Sequence, residues 1–249
     1  MKREIEHFAK LFRGLNRAYG AVDLAGKDAN GKQRGKYKFV HEPRTSATYA
    51  SHLNGEMSIG VVPINEDNVC IWGAIDIDQY PLDHAAIIKK LDELDLPLVV
   101  CRSKSGGAHL YLFLQDFVDA EKLQLKLKEV ASEIGFGGCE IFPKQIKLVL
   151  ERGDNGNFLN LPYFNQKDGL RYAIKDDGSA ASLEEFLTYA EAAAITEEQL
   201  DALLTKESSD VDQKLKDGPP CLQALLRQGF PQGTRNNGLF NIGVYLRKA

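Results

Sequence analysis

Residues 69–78 read VCIWGAIDID. Valine, isoleucine and tryptophan crowd the first seven positions, and two aspartates separated by one isoleucine close the run. That composition predicts a β-strand. Side chains in a strand alternate between faces, so Ile75 and Ile77 turn to the core while Asp76 and Asp78 share the other face, about 6–7 Å apart. Two carboxylates that close repel each other unless positive charge sits between them. A divalent cation with oxygen preference is the natural partner, and pairs of such ions serve phosphoryl and nucleotidyl transfer. A solvated strand end is the competing reading of a lone D-x-D.

Working outward, SIGVVPI (58–64) predicts a strand before this one. LDHAAIIKKLDELD (82–95) has helical period, LPLVVCRS (96–103) and HLYLFLQ (109–115) predict strands, and AEKLQLKLKEVASEIG (120–135) a helix. CEIFPKQ (139–145) and NFLNLPYF (157–164) complete the series as strands. From residue 56 the expected order is β-β-α-β-β-α-β-β, an α+β class with an antiparallel sheet and helices on one face. This pattern resembles an RRM-like or ferredoxin-like sheet. Ahead of it, Ile5, Phe8, Leu11, Phe12 and Leu15 predict an amphipathic helix over 4–18. Residues 20–45, rich in Gly and Lys, predict a loop feeding a short strand, and SATYASHLNGE a short helix stopped at Asn54-Gly55. These segments form an N-terminal αβ extension. Residues 183–206 predict acidic helix. The expected organisation is a domain over 1–206, a polar linker over 207–218, and a small C-terminal helical region over 219–249 whose pattern is still amphipathic at Ala249.

The composition is that of a globular protein, with 43% hydrophobic and 27% charged residues, which excludes disordered and fibrous classes. The net charge is −4, but it is unevenly spread. Residues 1–50 hold 11 Lys and Arg against 5 Asp and Glu; residues 51–100 hold 2 against 9. A basic surface beside an acidic site fits that asymmetry, as do solvated faces. No apolar run is long enough to span a membrane and no signal-peptide core opens the chain, so a soluble cytoplasmic protein is expected. Cys70, Cys101, Cys139 and Cys221 are singly spaced, which argues against a zinc module and a disulfide framework.

Two further stretches carry chemistry. Ser103-Lys104-Ser105-Gly106-Gly107-Ala108-His109 joins two apolar strands. Gly106 and Gly107 allow positive φ, so backbone N–H groups can form an anion-binding nest. Ser103, Lys104 and Ser105 add donors for phosphate oxygens, and His109 opens the next strand towards the same place. The bland reading is a glycine-rich hairpin. In Cys139-Glu140-Ile141-Phe142-Pro143-Lys144-Gln145, Glu140 is a third acid within reach of the aspartate face, and Lys144 a counter-charge for it or for a phosphate; a solvated edge is the alternative. Residues 26–33 nearly spell a Walker A loop, but Gln33 stands where Ser or Thr is needed and a strand is expected next. Lys27, Lys32, Arg34, Lys36 and Lys38, with Tyr37 and Phe39 between them, suit a single-stranded nucleic-acid backbone, or simply a basic loop.

The D-h-D strand, the S-G-G-x-H turn and the acidic strand, in that order, resemble the archaeo-eukaryotic primase superfamily. The likeness is to phage and mobile-element primase-polymerases, and to the primase domain of conflict systems that pair such a primase with a helicase. LFRGLNRAYG, HL-x-G, CEIFPKQ, GNFLNLPYF and GTRNNGLFNIGVYLRK carry it across residues 10–175 and 219–249. The resemblance implies Asp76, Asp78 and Glu140 as ligands of Mg²⁺ or Mn²⁺. It places Ser105 and His109 on the incoming triphosphate, with Lys104 and Lys144 as further phosphate contacts. The third acid is an aspartate in many members, and many carry a zinc-binding module; this chain departs on both counts. The implied activity is template-directed nucleotidyl transfer, making or extending primers on single-stranded DNA from nucleoside triphosphates, with a helicase domain or partner. The rivals are a metal-dependent nuclease using the same carboxylates and a non-catalytic RRM-like single-strand binder.

Overall fold

The computed structural model describes residues 2–27 and 33–204, together with Pro219 and Gln223; for 23–27 and 33–36 the backbone alone is described. The expected linker and the C-terminal helical region lie almost wholly outside these residues.

Eight strands form two four-stranded antiparallel sheets. The 69–78 run folds as a strand, β4 (Val69–Ile77), at the heart of the second sheet. Around it lie α3 (His84–Glu93), β5 (Leu98–Arg102), β6 (Ala108–Asp119), α4 (Ala120–Glu133) and β7 (Glu140–Phe142). The strand order β5-β6-β4-β7 within a β-α-β-β-α-β chain is the ferredoxin-like arrangement. Ile75 and Ile77 are fully buried, as their alternation requires. The first sheet has order β2-β1-β3-β8 and consists of β1 (Tyr19–Lys27), β2 (Gln33–Val40), β3 (Ser58–Val61) and β8 (Leu159–Asn160). The 58–64 and 157–164 segments are therefore not strands of the second sheet; β3 pairs with β8 on one side and with β1 on the other.

Where a loop feeding a short strand was expected, Tyr19–Lys27 and Gln33–Val40 pair antiparallel as two strands, β1 with β2. Glycine and lysine disguised them, because neither marks a strand by propensity. β2 follows the near-Walker segment where a P-loop needs a helix. The first helix, α1, is shorter than its apolar pattern, Lys2–Leu11, while Phe12 and Leu15 continue into the core beyond it. The short helix α2 (Ser46–Leu53) is closed at its start by a reciprocal Thr45–Thr48 capping box and ends at Asn54. The described part of the acidic stretch, residues 183–204, holds two helices, α5 (Leu183–Ala192) and α6 (Glu197–Ala202).

Helices cover both faces of the second sheet. α4 packs on the face of Gly73, where a Cβ would meet Leu127 and Leu123. The opposite face carries Trp72 and Phe113, roofed by Phe12 at the end of α1 and Phe186 of α5. Phe12 stands edge-on to Trp72 at 5.3 Å and to Tyr111 at 5.4 Å, and stacks on Phe186 at 6.2 Å. This aromatic core closes one end of a face that an RRM-like sheet leaves open, and the polar residues lie at the other end.

His52 ties α2 to the first sheet. It is fully buried; the Ile59 N–H donates to Nδ1 and Nε2–H donates to the Pro162 carbonyl. Burial pushes its pKa down to about 3 against the lift of the Pro162 bond, with the Arg171 charge helping to lower it. The unfolded chain takes up this proton near pH 6.5 and the folded chain does not. The neutral histidine's contribution is thus complete above pH 6.5 and is lost as pH falls towards 3, by about 1.4 kcal/mol per pH unit. Thermal melts from pH 7 to pH 4 are expected to show a steeper loss for wild type than for His52→Gln; parallel profiles would contradict the assignment.

Candidate active site

The polar end of the open face is a row across the second sheet. Antiparallel register sets Asp76 of β4 opposite His109 of β6 on one side and opposite Glu140 of β7 on the other. Cys101 of β5 lies opposite His109 and ends the row. Asp76, Ala74 and Trp72 share one face, as do His109, Tyr111 and Phe113. The site therefore grows directly out of the aromatic core.

Asp76 is largely sequestered, with 14% of its side chain exposed. His109 Nε2 stands 3.4 Å from its Oδ1, close enough for attraction yet outside hydrogen-bond geometry, so that oxygen is buried without a hydrogen-bond partner. His109 Nδ1 is 3.1 Å from the Tyr111 hydroxyl, which also reaches the Asn160 carbonyl at 3.5 Å. Tyr111 is fully buried and burial raises its phenol well above the ordinary range, so it stays protonated. Asp78, one residue beyond β4, is exposed and accepts a 2.8 Å bond from Tyr80 Oη. The Tyr80 pKa is raised by burial, then by its bond to Asp78, with a Ser105 bond opposing. Cys139 senses both carboxylates: burial pushes its thiol up, and the charges of Asp76 and Asp78 push it further.

The glycine turn works differently from an open nest. Gly106 has φ of +98°, and its N–H donates to the Ser103 carbonyl at 3.1 Å. Gly107 needs no positive φ. A Cβ there would lie 2.2 Å from the Ile77 carbonyl oxygen, between the two aspartates, and its own carbonyl accepts from the Ser103 N–H and lies 3.1 Å from His84 Nε2. It is a close-approach glycine. Ser103 Oγ is buried without a hydrogen-bond partner, while Lys104 and Ser105 are exposed.

Glu140 faces the row, but Lys144 Nζ holds its Oε2 at 2.6 Å and sits over the Phe142 ring at 5.1 Å. The hard oxygens of Asp76 and Asp78 and the orphaned Asp76 Oδ1 fit a divalent cation. Glu140 is taken by Lys144 in this arrangement, and among the described residues no group of three or more His, Cys, Asp and Glu is placed to hold a metal.

The sequence profile described as "TOTE conflict system, Archaeo-Eukaryotic Primase domain" matches residues 24–202. The chain belongs to this primase family. Membership places it among nucleic-acid nucleotidyltransferases. Among solved structures it is similar to the catalytic domain of primase RepB' in complex with initiator DNA, at 14% identity over 83% of this chain and 98% of that one, TM-score 0.38. The AEP domain of the cyanophage S-2L primase-polymerase shares 12% identity over 76% and 98%, TM-score 0.40. Primase RepB' shares 10% over 99% and 92%, TM-score 0.38. No curated protein matches the chain significantly.

Three residues of this primase domain that surround the row escaped sequence reading. Tyr80 and Tyr111 orient Asp78 and His109. Arg171 is a buried guanidinium that donates to Ser58 Oγ at 3.0 Å; burial lowers its pKa, and the Tyr37 and Tyr111 hydroxyls act in the opposite sense. Of the basic segment, Lys32 lies outside the described residues, Arg34 and Lys36 are placed on β2 by backbone only, and Lys38 is exposed on the same strand. Among the described residues no helix is long and apolar enough to cross a membrane.

Proposed function

We propose that the Asp76–His109 row is the centre of template-directed nucleotidyl transfer on single-stranded DNA, making or extending primers. The observation that carries the reading is the buried, unpartnered Asp76 oxygen set by strand register between His109 and the acidic β7, beside Asp78. Asp76 and Asp78 would hold Mg²⁺ or Mn²⁺, with Glu140 joining once Lys144 turns to a phosphate. A divalent cation bound there supplies charge neutralisation for the reacting phosphate and lowers the pKa of the attacking hydroxyl.

The chain's own groups position the substrates. His109 Nδ1 is the nearer of the two acceptors of the Tyr111 hydroxyl, which donates to it and leaves Nε2–H at the Asp76 edge of the site, where it can bind a triphosphate oxygen. Ser103 Oγ, Ser105 and Lys104 bring further donors from the turn. Lys32, Arg34, Lys36 and Lys38 supply positive charge for a nucleic-acid backbone. A helicase domain or partner would present the single strand.

Product direction tests the reading. A labelled primer on a single-stranded template, with Mn²⁺ and nucleoside triphosphates, is expected to lengthen, and to remain intact when nucleotides are left out. Shortened strands without nucleotides would mean a nuclease. Tight binding that survives EDTA, with neither product, would mean a binding module.

A further inference from the structure

The first sheet carries an aromatic surface that the chemistry of the aspartate row does not use. Gly20 of β1 and Gly60 of β3 are cross-strand neighbours, and a Cβ on either would lie 2.4 Å from the Phe158 ring. The two glycines thus form a flat seat on which Phe158 lies. Phe39 stands edge-on to Phe158 at 5.2 Å, and Tyr37 lies 6.3 Å from it at a 34° tilt. Tyr37 and Phe39 occupy alternate positions of β2, opposite Val22 and Gly20, so they share the Phe158 face. Tyr37 is 57% exposed, a large ring left open to solvent on β2.

Two observations say what covers it. Between Asp28 and Glu42 the chain has no acidic residue but carries Lys32, Arg34, Lys36 and Lys38, so the occupant is anionic. The shelf also abuts the aspartate row: Gly60 pairs with Asn160, whose carbonyl is 3.5 Å from the Tyr111 hydroxyl that orients His109. An anionic chain with planar apolar faces meets both demands, and a single-stranded nucleic acid is such a chain. We infer that Tyr37, Phe39 and Phe158 form a base-stacking shelf for the template strand, with the cations of the β2 segment tracking its phosphates. This rests on the proposed synthesis on a single-stranded template. Stacking of this kind tolerates any base.

The test is fluorescence anisotropy of a short oligothymidylate in EDTA without nucleotides, so that binding is read apart from chemistry. Tyr37→Ala is expected to weaken binding about tenfold, and Tyr37→Phe to retain it. An oligonucleotide of the same length with abasic sites should bind wild type weakly and show no further loss with Tyr37→Ala. That coupling separates stacking from general damage, and the exposed Tyr37 can be removed without touching the core. Wild-type affinity in Tyr37→Ala would overturn the shelf while leaving primer synthesis intact. So would a change confined to the nucleotide KM, which would assign the rings to the incoming base, or a change of oligomeric state, which would assign them to a second copy. No oligonucleotide binding by wild type would remove both this inference and the reading beneath it.

Discussion

Asp76→Asn is expected to lower template-dependent nucleotide incorporation by at least about 10³-fold, equivalent to roughly 4 kcal/mol of transition-state stabilisation, while the melting temperature holds or rises. The structure gives both halves of this result. Asp76 is a buried carboxylate with one oxygen lacking any hydrogen bond, and His109 Nε2, 3.4 Å away, stands outside hydrogen-bond geometry. Burying such a charge opposes folding, so the neutral amide of the same shape relieves it. The amide cannot bind a cation as the carboxylate does. Gel assays of incorporation and thermal melts on the same preparations would check this. Turnover within tenfold of wild type would remove Asp76 from the chemistry. A large fall in melting temperature would make its role structural.

Gly107→Ala is expected to damage stability and activity together. The added methyl would enter the Ile77 carbonyl oxygen at 2.2 Å and crowd Ser103 Oγ at 3.3 Å. Backbone meets backbone at that point, so no rotamer relieves it; β6 must shift away from the end of β4. Overpacking of this kind costs about 1–3 kcal/mol, which lowers the melting temperature of a chain this size by about 2–12 °C. The shift also separates Asp76 from His109, and a displacement near 1 Å costs about 10²-fold in rate. Gly106→Ala is the comparison. Its Cβ would find nothing closer than Arg102 Nη2 at 3.6 Å, and the penalty is the positive φ alone, about 1 kcal/mol. Thermal melts and incorporation rates should rank Gly107→Ala well below Gly106→Ala. The reverse ranking would show that the turn's left-handed residue, not the close approach, shapes the site.

Much of this was legible in the sequence because period-two alternation is a local property. It places Asp76 opposite Ile75 and Ile77 in facing, and it puts His109 at the start of a strand. The ferredoxin-like unit followed from helix and strand periods between residues 69 and 142. The first sheet was not legible, since two of its pairings join residues far apart in the chain: Gly60 with Asn160, Gly20 with Gly60. Nothing local in SIGV says that it leaves the neighbouring VCIWGAIDI for YGAVDLAGK. The glycine turn was half legible: Gly106 takes the positive φ expected of it, while Gly107 is used for close approach, and sequence shows that glycine is present but not which of its freedoms is used. Tyr80, Tyr111, Phe158 and Arg171 gain their roles from packing across sheets. The only sequence signal for Phe158 was the glycine pair at 20 and 60, which marks a close approach once the strands are known to be neighbours.

The central claim is that Asp76 and Asp78 hold the cation on which transfer depends. It is tested most directly by electron paramagnetic resonance of Mn²⁺ titrated into wild type and Asp76→Asn, with and without a nucleoside triphosphate. Wild type should remove free Mn²⁺ from solution saturably and more tightly with the nucleotide present, and Asp76→Asn should leave it free under the same conditions. Equal Mn²⁺ uptake by the two proteins would contradict the account.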